Sequence, residues 1–241
     1  MSTDSNAGGL TASVLEAKWK RNPDSEKRRD PFNLRMRRAT SWLARAEHEF
    51  NVDEPDYDAA FIFHWIAFNA AYAEDYPESY EIGEREAMRN YFRKIVNMDG
   101  SHVIYDSVWE KFSGPIRILL NNQYVFSAFW YSTNRDAEDA DWRQEFRDKK
   151  AAINNALGVR SVRNTEVILR ELFDRLYVLR NQLLHGGATY RGSMNRSQVR
   201  DGSAIMTFLV PHFINLMLDN PTSDWGTPRF AAGTKLLPSI K

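Results

Sequence analysis

The chain has 241 residues, with 32 basic and 32 acidic side chains and no net charge, and 43% of it is hydrophobic. This is a globular composition with core enough for one domain or at most two. It excludes a disordered chain and a basic field strong enough for tight nonspecific nucleic-acid binding. There is no cysteine, which excludes a disulfide framework, a thiolate metal site and a thiol nucleophile.

The first 30 residues are polar and lack an apolar signal region, so a cytoplasmic location is expected. Residues 1–30 are rich in Ser, Asp, Gly, Lys and Arg and read as a flexible basic and polar arm. The stretch 18–38 holds nine Lys/Arg against three Asp/Glu. Pro31 is placed to open a helix over about 32–50. There Leu34, Ala39, Trp42, Leu43 and Ala46 form an apolar stripe with arginines on the other face. NVDEPDYD is a break supplied with capping residues. The stretch AAFIFHWIAFNAAYA (59–73) is the longest apolar run, with His64 and Asn69 inside it. It is too short and too polar to span a bilayer. A helix over about 56–75, apolar nearly all round, is expected at the centre of the fold.

After the loop EDYPESYEIG, residues 82–98 read as a helix that Gly100 stops. A further helix over 102–121 is expected to break or kink at Gly114–Pro115. QYVFSAFWYS (123–132) has no partner strand and reads as a short helix or buried loop. Residues 138–156 form a polar helix, and 137–145 is acidic. The longest periodic run is 162–185, where Val167, Ile168, Leu172, Leu176, Leu179 and Leu183 make an amphipathic pattern. A loop, GGATYRGSMNRSQ, leads to a last helix over 196–218, very apolar from Ala204 onward, with a kink expected at Pro211. No internal repeat or glycine-rich phosphate loop appears. The prediction is an all-α chain: an arm at 1–30, one helical bundle at 31–220 and an irregular tail at 221–241.

Five histidines are candidates for chemistry: His48, His64, His102, His185 and His212. None has the spacing of a metal site. His48 lies in EHE, whose adjacent residues point to different helix faces. His64 and His212 sit inside apolar helices and read as core histidines. His102 reads as a helix start. No nucleophile elbow appears, so neither a metal nor a cofactor is expected.

RNQLLHGG (180–187) stands apart. One reading is an ordinary helix end. Gly186 or Gly187 supplies the left-handed cap, and Arg180 and His185 complement the negative end of the helix dipole. The other reading is chemical. Arg180, Asn181 and His185 resemble the Arg-x4-His signature of the HEPN superfamily, helical domains found in many ribonucleases and in toxin and phage-defence systems. LYVLRNQLLHGGATY and FIFHWIAFNAAYA are similar to prokaryotic HEPN proteins beyond the signature itself. The likeness is best over about 160–218 and extends more loosely over 35–218.

The resemblance implies a HEPN-like bundle acting as a metal-independent endoribonuclease, without cofactor and as a homodimer. Residues five apart lie about 140° apart around a helix, so Arg180 and His185 do not easily converge on one atom from one copy. Two copies facing across a two-fold axis would build one cleft. Arg180 would neutralise the scissile phosphate, and His185 would serve as general acid or base, with Asn181 orienting the motif. The products would be a 2′,3′-cyclic phosphate, or its hydrolysed form, and a 5′-hydroxyl. Tyr190, Arg191, Arg196 and Arg200 would rim the cleft, binding RNA phosphates or stacking a base. Asn69 would support the site from the central helix.

A toxin–antitoxin or phage-defence setting, with an antitoxin or defence partner protein, goes with this reading. Some HEPN toxins carry a tyrosine two residues after the histidine, which a nucleotidyltransferase antitoxin modifies. Here Gly187 holds that position and the first tyrosine is Tyr190. The rival readings are a non-catalytic HEPN-like module that binds RNA or a protein, which the neutral charge favours, and a plain helical scaffold.

Overall fold

The computed structural model describes residues 9–26, 30–75, 83–134 and 142–230. The described residues form ten α-helices and one isolated antiparallel bridge, between Glu74 and Pro228. The helices are α1 (Ala12–Lys20), α2 (Pro31–Phe50), α3 (Tyr57–Tyr72), α4 (Glu84–Met98), α5 (Val103–Asp106), α6 (Ser113–Leu120), α7 (Ser127–Asn134), α8 (Trp142–Gly158), α9 (Val162–Leu184) and α10 (Arg196–Asp219). The all-α expectation holds.

Helix α3 is central, as its all-round apolar character requires. It packs most extensively on α2 and α10 and also touches α4 and α9. Ala60, Ala67 and Ala71 keep its surface low, while Phe61, Trp65 and Phe68 fill the core. Phe68 meets Phe173 of α9 at 4.6 Å, Phe92 of α4 at 5.8 Å and Phe213 of α10 at 6.0 Å between ring centroids, so one aromatic cluster joins four helices. His64 is fully buried, and its Nδ1 lies 2.8 Å from the Ala60 carbonyl. That contact makes Nδ1 the protonated nitrogen, and burial holds the imidazole neutral by lowering its pKa to about 4.

Three expectations are corrected. First, the proposed arm at 1–30 contains α1, docked through buried Ala12, Leu15 and Trp19. Trp19 Nε1 donates to Asn33 Oδ1 at 2.9 Å, and Lys18 reaches Asn215 of α10 at 2.7 Å. Three apolar residues at helical spacing outweigh the basic composition around them. Residues 1–8 and 27–29 of that arm, 76–82 of the next loop, 135–141 of the acidic stretch and 231–241 of the tail lie outside the described residues.

Second, the irregularity in 102–121 precedes Gly114. A π-helical turn occupies Ser107–Lys111, and α6 restarts at Ser113. Pro115 falls in the first turn of α6, where a missing N–H leaves no helical bond unmade.

Third, α2 does not carry all its arginines outward. Arg35 is fully buried and Trp42 is exposed. The Arg35 guanidinium donates to the carbonyls of Ala71 (2.8 Å) and Ala73 (2.9 Å) at the end of α3, and to Trp225 (2.8 Å) beyond α10. It therefore caps one helix and fastens the described part of the tail to it.

The 123–132 segment is a 3₁₀ turn followed by α7, with no strand. Helix α10 runs through Pro211. It is long and apolar enough to cross a membrane, but 56% of that apolar window is buried among the other helices, which makes it a core helix here.

Candidate functional site

Helix α9 starts at Ser161, whose side chain accepts from the Asn164 N–H, and ends at His185. The His185 N–H donates to the Asn181 carbonyl at 2.9 Å. Gly186 has φ +69°, the left-handed conformation that ends helices and that a side chain would strain. The Gly186 N–H reaches the Leu183 carbonyl at 3.4 Å and the Ala188 N–H reaches that of Gln182 at 3.2 Å, closing the turn. His185 is exposed at this turn, and Arg180 and Asn181 are half-buried one turn earlier.

The Arg180 guanidinium lies over two rings, Tyr177 at 4.8 Å and Trp65 of α3 at 5.5 Å. Its Nη1 donates to Asn181 Oδ1 at 2.9 Å. Two aromatic faces and a neighbouring amide thus orient the cation. Asn181 touches Arg180 directly, as a positioning residue would.

The loop after His185 is anchored at three points. Tyr190 Oη donates to Asp56 Oδ2 at 2.6 Å. The Arg191 N–H and the Arg196 guanidinium both reach Asp58 Oδ2, at 2.9 and 2.8 Å. Asn195 Nδ2 donates to Gln182 Oε1 of α9 at 2.9 Å. Burial acts to raise the Asp56 pKa, but the Ala59 N–H, the Tyr190 hydroxyl and the Arg191 charge together hold it below the ordinary carboxylate value. The hydrogen bond to Asp56 in turn raises the Tyr190 pKa.

Of the residues expected to rim the site, Tyr190 and Arg196 are therefore committed to loop anchorage. The side chains of Arg191 and Arg200, together with Arg196, line an open cleft of about 670 Å³ that Tyr57, Ser193 and Ser197 share. Arg200 lies 3.3 Å from Asp201. A second hollow, about 360 Å³, is lined by Ile62 and Phe63 of α3 with Leu183 and Tyr190. Leu184, beside His185, is 54% exposed.

Asn69 is placed elsewhere. It lines a cavity at the C-terminal end of α3 with Arg38, Trp42, Tyr72 and residues 228–230. It lies one turn beyond Trp65, the α3 residue that Arg180 covers. Sequence reading also missed Trp65, Tyr177, Asp56 and Asp58. The Asp pair was visible only as capping residues, and Asp56 does cap α3, accepting from the Ala59 N–H at 3.0 Å. His64 is the core histidine expected, whereas His212 is only half-buried; both bond the carbonyls one turn back, the latter to Phe208 at 2.7 Å. Among the described residues no group of three His, Asp or Glu side chains is arranged to hold a metal ion.

Comparison of the chain with family models, with curated proteins and with solved structures gave no match.

Proposed function

We propose that the protein is a HEPN-type endoribonuclease that cuts RNA without a metal or cofactor, at a cleft shared by two copies of the chain. The observation that carries this reading is the pairing at the end of α9. Arg180 is held as an oriented cation on Trp65 and Tyr177, while His185 is exposed at the helix end. The half-exposed Ile62, Phe63 and Leu183, with exposed Leu184 and Tyr190, form an apolar border beside the motif that suits a second copy.

In such a dimer one His185 takes the proton of the ribose 2′-hydroxyl. The 2′-oxygen attacks phosphorus, the bond to the 5′-oxygen breaks, and His185 of the second copy returns a proton to that oxygen. The two Arg180 guanidinium groups balance the charge that builds on the phosphate. Arg191 and Arg200, on the open cleft, hold the RNA backbone outside the reacting group. A cytoplasmic location and a toxin–antitoxin or phage-defence partner accompany this reading.

The test is RNA cleavage by wild type, Arg180→Ala and His185→Ala, with EDTA present. Wild-type cutting that both variants lose supports the proposal. Cutting by His185→Ala at the wild-type rate refutes it. A second reading, an RNA-binding module without catalysis, is favoured by the intrachain bond from Arg180 to Asn181. It predicts salt-sensitive RNA binding by wild type with no cutting.

A further inference from the structure

At the other end of α3 from the motif lies a partly open cavity of about 460 Å³, within the usual size range of small-molecule sites. Its floor is Ile66, Asn69, Ala70 and Ala73 of α3, and half-exposed Trp42 supplies an aromatic wall. Its roof is the segment Pro228–Phe230, which the chain builds with unusual care. Arg38 donates to the Arg229 carbonyl (2.7 Å) and the Phe230 carbonyl (2.9 Å), and the Asp75 N–H donates to the Thr227 carbonyl (2.7 Å). Gly226, at φ +66°, lets the strand of chain turn there, and any β-carbon would fall 2.2 Å from Glu74 Oε2.

One polar atom of the cavity is left over after the fold is accounted for, and the charges around it matter. The Asn69 Oδ1 is buried and has no hydrogen-bond donor among the described residues, which is unfavourable for a group of this kind. Arg38 and Arg229 both line the cavity; each also donates to backbone carbonyls, Arg38 to the roof and Arg229 Nε to Glu74 at 3.0 Å, and among the described residues no carboxylate is ion-paired with either. Glu74, the acid in the lining, is already shared with Lys94 at 3.9 Å. The lining thus combines a primary amide in need of a partner, aromatic surface and a surplus of positive charge.

We propose that this cavity binds an adenine mononucleotide. One asparagine amide, whose ends exchange by rotation about its last torsion, offers the donor and acceptor that match the adenine edge. Trp42, with part of its ring exposed, supplies stacking surface for a base. The guanidinium groups of Arg38 and Arg229 suit a phosphate at the cavity mouth.

The test is isothermal titration of the full chain with AMP, adenosine, inorganic phosphate and a short oligoadenylate. AMP is expected to bind. Asn69→Leu removes the unpartnered acceptor and so keeps the fold, which a melting curve verifies, and it weakens AMP binding about tenfold or more. Arg229→Gln, on an exposed side chain, weakens AMP but leaves adenosine unchanged. The proposal is overturned if AMP at about 1 mM gives no heat with wild type. It is also overturned if folded Asn69→Leu binds AMP as well as wild type does, or if the oligonucleotide binds and AMP does not.

Discussion

Replacing Arg35 with methionine keeps the volume of a fully buried side chain and deletes its donors. The structure sets the size of the effect. Three short contacts go to Ala71 (2.8 Å), Ala73 (2.9 Å) and Trp225 (2.8 Å), and a longer one goes to Gly226 (3.2 Å). Hydrogen bonds from a charged donor are worth about 1.5–3 kcal/mol each, so a plain sum over the three short ones is roughly 5–9 kcal/mol. Part of that sum is offset, because methionine spares the desolvation of a guanidinium, and water reaches some of the freed carbonyls. The net loss is expected near 3–4 kcal/mol, in the range for breaking a buried charged network. For a chain of this size that is a fall in Tm of about 10 °C. Thermal and urea unfolding followed by circular dichroism measure it, and limited proteolysis reports where the loss is felt. New cleavage between residues 220 and 230 is expected at temperatures where the core still resists. A Tm within about 2 °C of wild type would refute the assignment of Arg35 as the clasp between α3 and the tail.

The remaining predictions rest on other parts of the fold. His64 stays neutral down to about pH 4, while the unfolded chain takes up that proton near 6.5, so its contribution is full above pH 6.5 and is lost as pH falls towards 4, by roughly 3 kcal/mol. Unfolding free energies of wild type and His64→Leu across that window should differ in slope, and equal slopes would contradict the burial of a neutral imidazole. Asp58→Ala strands the Arg191 N–H and the Arg196 guanidinium, at a cost of about 2 kcal/mol. It should also open the 186–195 loop to protease, and unchanged cleavage there would show that the anchor is idle. Gly202→Ala would set a β-carbon 2.9 Å from Leu176 Cδ2 and 3.2 Å from Phe61 Cε2, where α10 crosses α3 and α9. Overpacking of this kind costs about 1–3 kcal/mol, and a Tm at or above the wild-type value would show that those side chains yield freely.

How much of this was legible beforehand depends on the range of the interaction. The long helices announce themselves by periodicity: α2, α9 and α10 fall within a residue of their expected bounds, and α3 ends three residues early. The end of α9 was equally plain, because a histidine followed by Gly186 is a local signal. Arg35 and Arg38 were not. In sequence they are two basic residues among nine, and only the return of residues 225–230 across α2 separates one clasp from another. Trp19 was hidden in the same basic run. Asn69 was noticed as an amide needing a partner, but its neighbours are set by chain that lies some 160 positions later, beyond the reach of any motif.

Helix α3 links these pieces in a way that bears on function. Its N-terminal turn holds the motif loop through Asp56 and Asp58, its middle supplies Trp65 under Arg180, and its last turn floors the Asn69 cavity. The same last turn is capped by Arg35, and the tail that Arg35 fastens roofs that cavity. A helix held at both ends by side chains from other elements moves as a body, not by fraying. Coupling between the two ends would follow only if α3 had two positions: an occupant of the cavity that differed in affinity between them would bias the Arg180 geometry by that same difference.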